Sequence, residues 1–181
     1  MKEMKGIVIT IVGLMLLTST AFANSGMCIE GDCAEGRGDY IWEDGSLYQG
    51  EFKNSLRHGQ GKMIYAEEEK IYQGEWKDGK RHGKGRLTSI DGEDYNGEWM
   101  NGKRHGTGVV TFPNGDVFKG ELAKGQWHGK GEYIYPDGSK FVGTWKNNKM
   151  HGTGTYIYPD GTKRNVQYEE GTLIEPAHNE Q

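Results

Sequence analysis

The chain has 181 residues and a formal net charge of −4, from 22 Lys and Arg against 26 Asp and Glu; a general nucleic-acid binder would carry a strong basic excess instead. Thirty residues are Gly, and ten Tyr, five Trp and five Phe supply much of the apolar content. Such a composition cannot fill a thick aliphatic core, whereas a quasi-one-dimensional sheet has no need of one.

Residues 1–5 are basic, residues 6–17 are apolar except for Thr10, and Ala21-Phe22-Ala23 has the small-x-small pattern of a signal-peptidase site. The apolar run is shorter than the about 20 residues that span a bilayer. Residues 1–23 are therefore expected to be a cleaved export signal, giving a periplasmic or secreted protein. An uncleaved anchor is the alternative; lipidation at Cys28 fits less well, because Met27 stands where a small residue should precede the Cys. Residues 24–35 form an N-terminal segment whose Cys28 and Cys33 would enter an oxidising compartment, where a disulfide can persist. Two free thiols or an intermolecular pair remain as alternatives, and the C-x4-C spacing is not the C-x-x-C of redox catalysts.

From residue 36 the chain repeats. Tyr48-Gln49-Gly50-Glu51-Phe52 is followed by Tyr72-Gln73-Gly74-Glu75-Trp76, Tyr95-Asn96-Gly97-Glu98-Trp99, Phe118-Lys119-Gly120-Glu121-Leu122 and Phe141-Val142-Gly143-Thr144-Trp145. Each leads at a fixed distance to His-Gly-x-Gly, beginning at His58, His82, His105, His128 and His151, with a period of 23 residues after a first step of 24. Periods of this size indicate an array. A half repeat at residues 36–45 precedes it and matches residues 129–138.

Within one repeat, Tyr95, Gly97 and Trp99 share a parity and Asn96 and Glu98 take the other, the period-2 pattern of a half-buried strand. Gly108, Val110 and Phe112 mark a second strand. Asp44-Gly45, Asp91-Gly92, Asn114-Gly115, Asp137-Gly138 and Asp160-Gly161 then supply turns that need positive φ. Ala66-Glu67-Glu68-Glu69-Lys70 lacks the Gly and predicts a looser loop or a bulge. The in-strand glycines predict aromatic rings lying over bare backbone. Arg164 to Tyr168 read as a capping strand that closes the repeat domain at residues 36–168, with residues 169–181 as a polar tail. The expected fold is all-β: an elongated single-layer antiparallel sheet of successive β-hairpins, about twelve strands and on the order of 50 Å long.

These residues resemble MORN (membrane occupation and recognition nexus) repeats; Tyr72-Gln73-Gly74-Glu75-Trp76-Lys77-Asp78-Gly79-Lys80-Arg81-His82-Gly83-Lys84-Gly85 is a near-consensus copy. Leu122 in place of Trp, Thr144 in place of Glu, and Gln126-Trp127 ahead of His128 depart from the pattern. The resemblance implies a scaffold or binding module, in a family also linked to phospholipids and found beside kinase and SET-type methyltransferase domains.

Five repeated histidines invite a metal site, but equivalent positions two strands apart are about 9.6 Å from one another, while zinc ligands converge to about 2.1 Å from the metal. Each His is expected to order its own loop through a backbone hydrogen bond, and no metal or other cofactor is expected. No nucleophile, base and orienting group can be placed together, so an enzyme is not expected. The expected function is a non-enzymatic, exported protein-interaction scaffold, with Trp76, Tyr95, Trp99, Phe112, Tyr133, Tyr135, Trp145 and Tyr156 as candidate contacts. Two alternatives stand beside it: attachment to anionic phospholipid surfaces through a basic loop edge of Arg57, Lys80, Arg81, Lys103 and Arg104, and glycan or cell-wall binding through the aromatic face. A protein partner is expected, nucleic acid is not, and uncovered sheet ends are candidate sites of self-association.

Overall fold

The computed structural model describes residues 26–174; the expected export signal and residues 175–181 of the expected tail lie outside them. Every regular element among the described residues is a β-strand, and the chain divides into two units, Met1–Asp91 and Gly92–Gln181. The first holds β1 (Gly26–Gly31), β2 (Arg37–Trp42), β3 (Leu47–Lys53), β4 (Leu56–Tyr65), β5 (Lys70–Lys77) and β6 (Lys80–Ser89). The second holds β7 (Asp94–Met100), β8 (Lys103–Thr111), β9 (Val117–Ala123), β10 (Gln126–Ile134), β11 (Lys140–Lys146), β12 (Lys149–Ile157), β13 (Lys163–Glu169) and β14 (Thr172–Ile174). Within each unit every strand pairs antiparallel with its sequence neighbours, forming an open sheet of successive hairpins.

The fourteen strands exceed the expected dozen by one at each end. β1 arises from the cysteine segment, pairs with β2 from Gly26 opposite Trp42 to Gly31 opposite Gly38, and carries a bulge between Cys28 and Glu30. The Cys28–Cys33 disulfide, with Cα atoms 5.9 Å apart, ties that bulged strand to the turn that follows it. β14 pairs Leu173 with Tyr168, so the described part of the tail begins as a strand beyond the expected cap.

Two kinds of turn alternate. At 54–55, 78–79, 101–102, 124–125, 147–148 and 170–171 both residues have positive φ, the two-residue type I′ hairpin geometry that matches strand twist. At the other end of each hairpin the loop is longer: the Gly45 N–H donates to the Trp42 carbonyl at 3.0 Å and the Trp42 N–H to the Ser46 carbonyl at 2.9 Å. Gly45 takes φ 81°, and Asp44 Oδ1 accepts the Ser46 N–H at 2.8 Å. Asn114, Asp137 and Asp160 cap their turns in the same way. The expected exception holds at residues 66–69, where Glu69 occupies the left-handed region at φ 50°.

Glycines face each other across the strands: Gly50 opposite Gly61, Gly74 opposite Gly85, Gly97 opposite Gly108, Gly120 opposite Gly131 and Gly143 opposite Gly154. Over them lie Tyr48, Tyr72, Tyr95, Phe118 and Phe141, none more than 1% exposed. A Cβ on Gly108 would stand 2.5 Å from Tyr95 Cε2, and one on Gly97 would stand 2.6 Å from the Gly108 Cα. The sheet of the described residues thus buries an aromatic ring against its own backbone in each repeat, worth about 1.5–3 kcal/mol for each side chain.

A second lock sits at the His-Gly-x-Gly segments. The register skips two residues between Gly74 and Glu75, and the Glu75 carboxylate fills the gap, its Oε1 accepting the Lys84 N–H at 2.7 Å. Glu51 and Glu98 do the same for the N–H groups of Gln60 and Thr107, each at 2.9 Å. The glycine after each His has positive φ and faces that carboxylate at Gly59, Gly83 and Gly106. In the fifth copy Thr144 has no carboxylate to offer, and its hydroxyl donates to the His151 carbonyl instead.

Replacing Glu69 with Gly should relieve the left-handed residue and stabilise the protein by about 1 kcal/mol, read as a higher urea midpoint at unchanged m-value. Gly108→Ala should do the opposite, by roughly 1–3 kcal/mol, because the new methyl overlaps the Tyr95 ring; a neutral midpoint would show that the ring yields.

Candidate interaction face

The parity that puts Tyr95, Gly97 and Trp99 on one side of β7 puts the rings of every repeat on the same side of their sheet. How much ring stays accessible differs along the chain. Tyr95, at 0% exposure, and Trp76, Trp99 and Trp145, at 3%, 4% and 5%, are core residues. Trp76 packs edge-on against Tyr72 at 5.1 Å between centroids and donates its indole N–H to the Gly61 carbonyl at 3.3 Å. Of the eight candidate contacts, only Phe112, Tyr133, Tyr135 and Tyr156 are half-exposed.

The five basic candidates do not assemble as one edge. Lys80 and Lys103 open their strands and are exposed, whereas the arginines before His58, His82 and His105 point back onto the rings. The Arg57 guanidinium lies 4.4 Å from the Trp76 centroid and donates to the Gly79 carbonyl at 2.9 Å. Arg81 lies 5.8 Å from the centroid of Tyr72, and Arg104 4.8 Å from that of Tyr95. Arg104 also pairs with Glu93 at 2.5 Å. The physical reason is register: Arg57, Arg81 and Arg104 sit directly opposite Phe52, Trp76 and Trp99. They therefore share the aromatic face, where cation–π contact and stem burial hold them.

The fourth copy resolves two departures with one geometry. Leu122 lies opposite Trp127, where the other copies have an aromatic opposite an arginine or Met150. Trp127 stacks on Phe118 with centroids 4.3 Å apart and planes 5° from parallel, and meets Trp145 edge-on at 5.1 Å. The indole has moved across the hairpin, and among the described residues Trp127 takes the place that an arginine holds in the first three copies.

Beyond it the rings open into a shallow basin of about 650 Å³, floored by Tyr135, Tyr156, Tyr158 and Tyr168 and rimmed by Arg164 and Leu173. Tyr158 is 41% exposed. The hydroxyls of Tyr156 and Tyr168 are 3.3 Å apart, and burial together with this contact pushes the Tyr168 phenol up to about 12. The structure thus brings Tyr135 and Tyr156 together with Tyr158, Tyr168 and Arg164, which the sequence reading left out. Parity held the missing signal: Tyr158 follows Tyr156 at a spacing of two, as Tyr135 follows Tyr133, and Tyr168 and Arg164 share the face of Val166.

The histidines behave otherwise than expected. The Nδ1 atoms of His58, His82 and His105 are buried without a hydrogen-bond partner, and His58 Nδ1 lies 3.8 Å from Asp78 Oδ1. Backbone order at these positions comes instead through the carbonyl: Tyr48 Oη reaches that of His58 at 3.3 Å and that of Glu51 at 3.0 Å. Only at His151 does the ring receive a backbone bond among the described residues, from the Glu170 N–H at 3.4 Å. No group of three or more His, Cys, Asp or Glu able to hold a metal occurs among the described residues.

Nearby, Tyr133 Oη donates to Asp116 Oδ2 at 2.6 Å, and burial together with this carboxylate pushes the phenol up to about 12. The folded state therefore holds its proton more tightly than the unfolded chain, whose phenol titrates near 10.0. That contribution is full below pH 10 and is lost as the pH rises toward 12. Melting temperatures of the wild type and Tyr133→Phe across this range should converge; a gap that stays constant would assign the bond no part in the alkaline loss.

Among known proteins, the profile of the MORN repeat matches residues 34–47, 48–67, 72–93, 95–117, 118–140 and 141–163. No curated protein matches the chain. Of solved structures, it resembles the TCP domain of Drosophila melanogaster SAS-4 (dCPAP) in complex with a proline-rich motif of Ana2 (dSTIL), at 17% identity over 84% of this chain and 99% of that one, with a TM-score of 0.47. It also resembles the TCP10 domain of Danio rerio CPAP in complex with a STIL peptide, at 16% identity over 83% and 63% of the two chains, with a TM-score of 0.38. At these scores the overlap carries nothing about partners or activity. The repeat profile covers the half repeat and all five full copies, more than half of the chain, and the chain belongs to the MORN repeat family.

Proposed function

We propose that the protein is a non-enzymatic, exported interaction scaffold that receives an extended polypeptide across the accessible rings of the Gly92–Gln181 unit. The observation that carries this reading is the change in the aromatic face along that unit. Trp99 and Trp145 are sealed into the sheet, while Phe112, Tyr133, Tyr135 and Tyr156 stay half-exposed and Tyr158 is open. Rings held by their own backbone lose little freedom on binding, which favours association through them. Arginines held over rings by cation–π contact leave fewer free cations for an anionic membrane surface, so the aromatic face is favoured over the basic edge.

A photo-crosslinking residue in place of Tyr158, compared with one in place of Lys119 on the opposite face, tests the proposal in the cells that make the protein. Polypeptide adducts are expected from position 158 and not from 119. Adducts confined to lipid or saccharide, or equal capture from both faces, would overturn it. With a captured partner in hand, Tyr158→Ala should weaken binding about tenfold or more, as loss of an aromatic anchor does.

A further inference from the structure

The basin around Tyr156 has on its rim a guanidinium, that of Arg164, with no ion-pair partner among the described residues. Arg164 lies directly opposite Tyr156 across β12 and β13, and it is exposed. Among the described residues no carboxylate pairs with it. Asp137, the acid in the basin wall, is already engaged, its Oδ1 accepting the Ser139 N–H at 2.8 Å and the Ser139 hydroxyl at 2.6 Å. Arg57 and Arg104, by contrast, each spend their guanidinium on a carbonyl or a carboxylate within their own sheet.

Apart from the tyrosine hydroxyls, the rest of the basin is mostly apolar. Tyr156 and Tyr168 turn their hydroxyls toward each other, and Pro136, Val166 and Leu173 add only apolar surface. A saccharide would bring many hydroxyls to a floor that answers few of them, and each one left unpaired costs binding energy. An apolar side chain with a carboxylate close by in the same segment satisfies both the rings and the arginine.

Building on the interaction reading above, we infer that the basin takes an acidic polypeptide segment. An apolar or prolyl side chain rests on Tyr135, Tyr156, Tyr158 and Tyr168, and a neighbouring Asp or Glu carboxylate meets Arg164. The charge pair sits at the rim, so it selects among segments while the rings hold them, as rim charges do at interfaces.

The test uses the full chain and short fluorescein-labelled synthetic peptides. Each pairs a Leu or Pro with a Glu one to three residues away, and matched versions carry Gln or Lys in place of the Glu. Wild type is expected to bind the Glu peptides about three- to tenfold more tightly than the Gln peptides, the range of a partly exposed charge pair. Arg164→Gln, with an unchanged far-ultraviolet spectrum, should erase that ratio, and Arg164→Glu should turn the preference to the Lys peptides. Equal binding of Glu and Gln peptides by the wild type overturns the acidic preference and leaves the interaction reading intact. Failure of folded wild type to bind any peptide, with binding instead to phosphatidylglycerol vesicles or to peptidoglycan fragments, overturns both.

Discussion

A sheet that has no covering layer among the described residues must bury its rings against itself, and the paired glycines make that feasible. At Gly74 and Gly85 the backbone of two strands lies bare on one face, and Tyr72 lies flat over the gap. Its hydroxyl reaches the Glu75 carbonyl at 2.9 Å, so the ring is held at both ends. The price is the conformational freedom of Gly in the unfolded chain, larger than for any other residue. The other recurring residues follow from this arrangement. The glutamate after the first glycine fills the register skip, the glycine after the histidine makes room for that glutamate, and the type I′ turn closes the hairpin.

This constraint explains why the fold could be read from the sequence and why the site could be read only in part. Parity alone placed Tyr95, Gly97 and Trp99 on one side, and the Gly positions marked both turns. Parity cannot say how far a ring is covered, because coverage depends on the residue opposite. Trp99 and Trp145 looked like contacts and are sealed in the sheet, since each lies between rings or an arginine of neighbouring strands. The register that decides this places Arg104 beside Trp99 and Met150 beside Trp145. A one-residue difference in the hairpin would have sent both to the opposite face.

The arginines show the same limit from the electrostatic side. Read as a string, Lys80-Arg81 and Lys103-Arg104 are doubled positive charges at a loop; in the sheet, neighbouring residues diverge and only the lysine remains outside. β1 and β14 were hidden for a different reason. Their sequences, with Cys28 in one and Thr172 to Ile174 in the other, carry no copy of the repeat, and they form because a neighbouring strand offers an unpaired edge.

The crossing of the indole from position 122 to position 127 has a consequence for how such an array can change over time. The two residues face each other across one hairpin, so a replacement on either side alone leaves a hole at Leu122 or crowds two indoles into one place. Positions 122 and 127 form a single heritable unit split across a turn. A duplication or exchange of repeats with its breakpoint inside Lys124-Gly125 would separate the halves, while a breakpoint at the Asn114-Gly115 or Asp137-Gly138 turn would carry them together. The natural module of this chain therefore begins and ends at the Asp-Gly and Asn-Gly turns, just ahead of the aromatic that opens each Tyr-x-Gly-Glu-Trp signature.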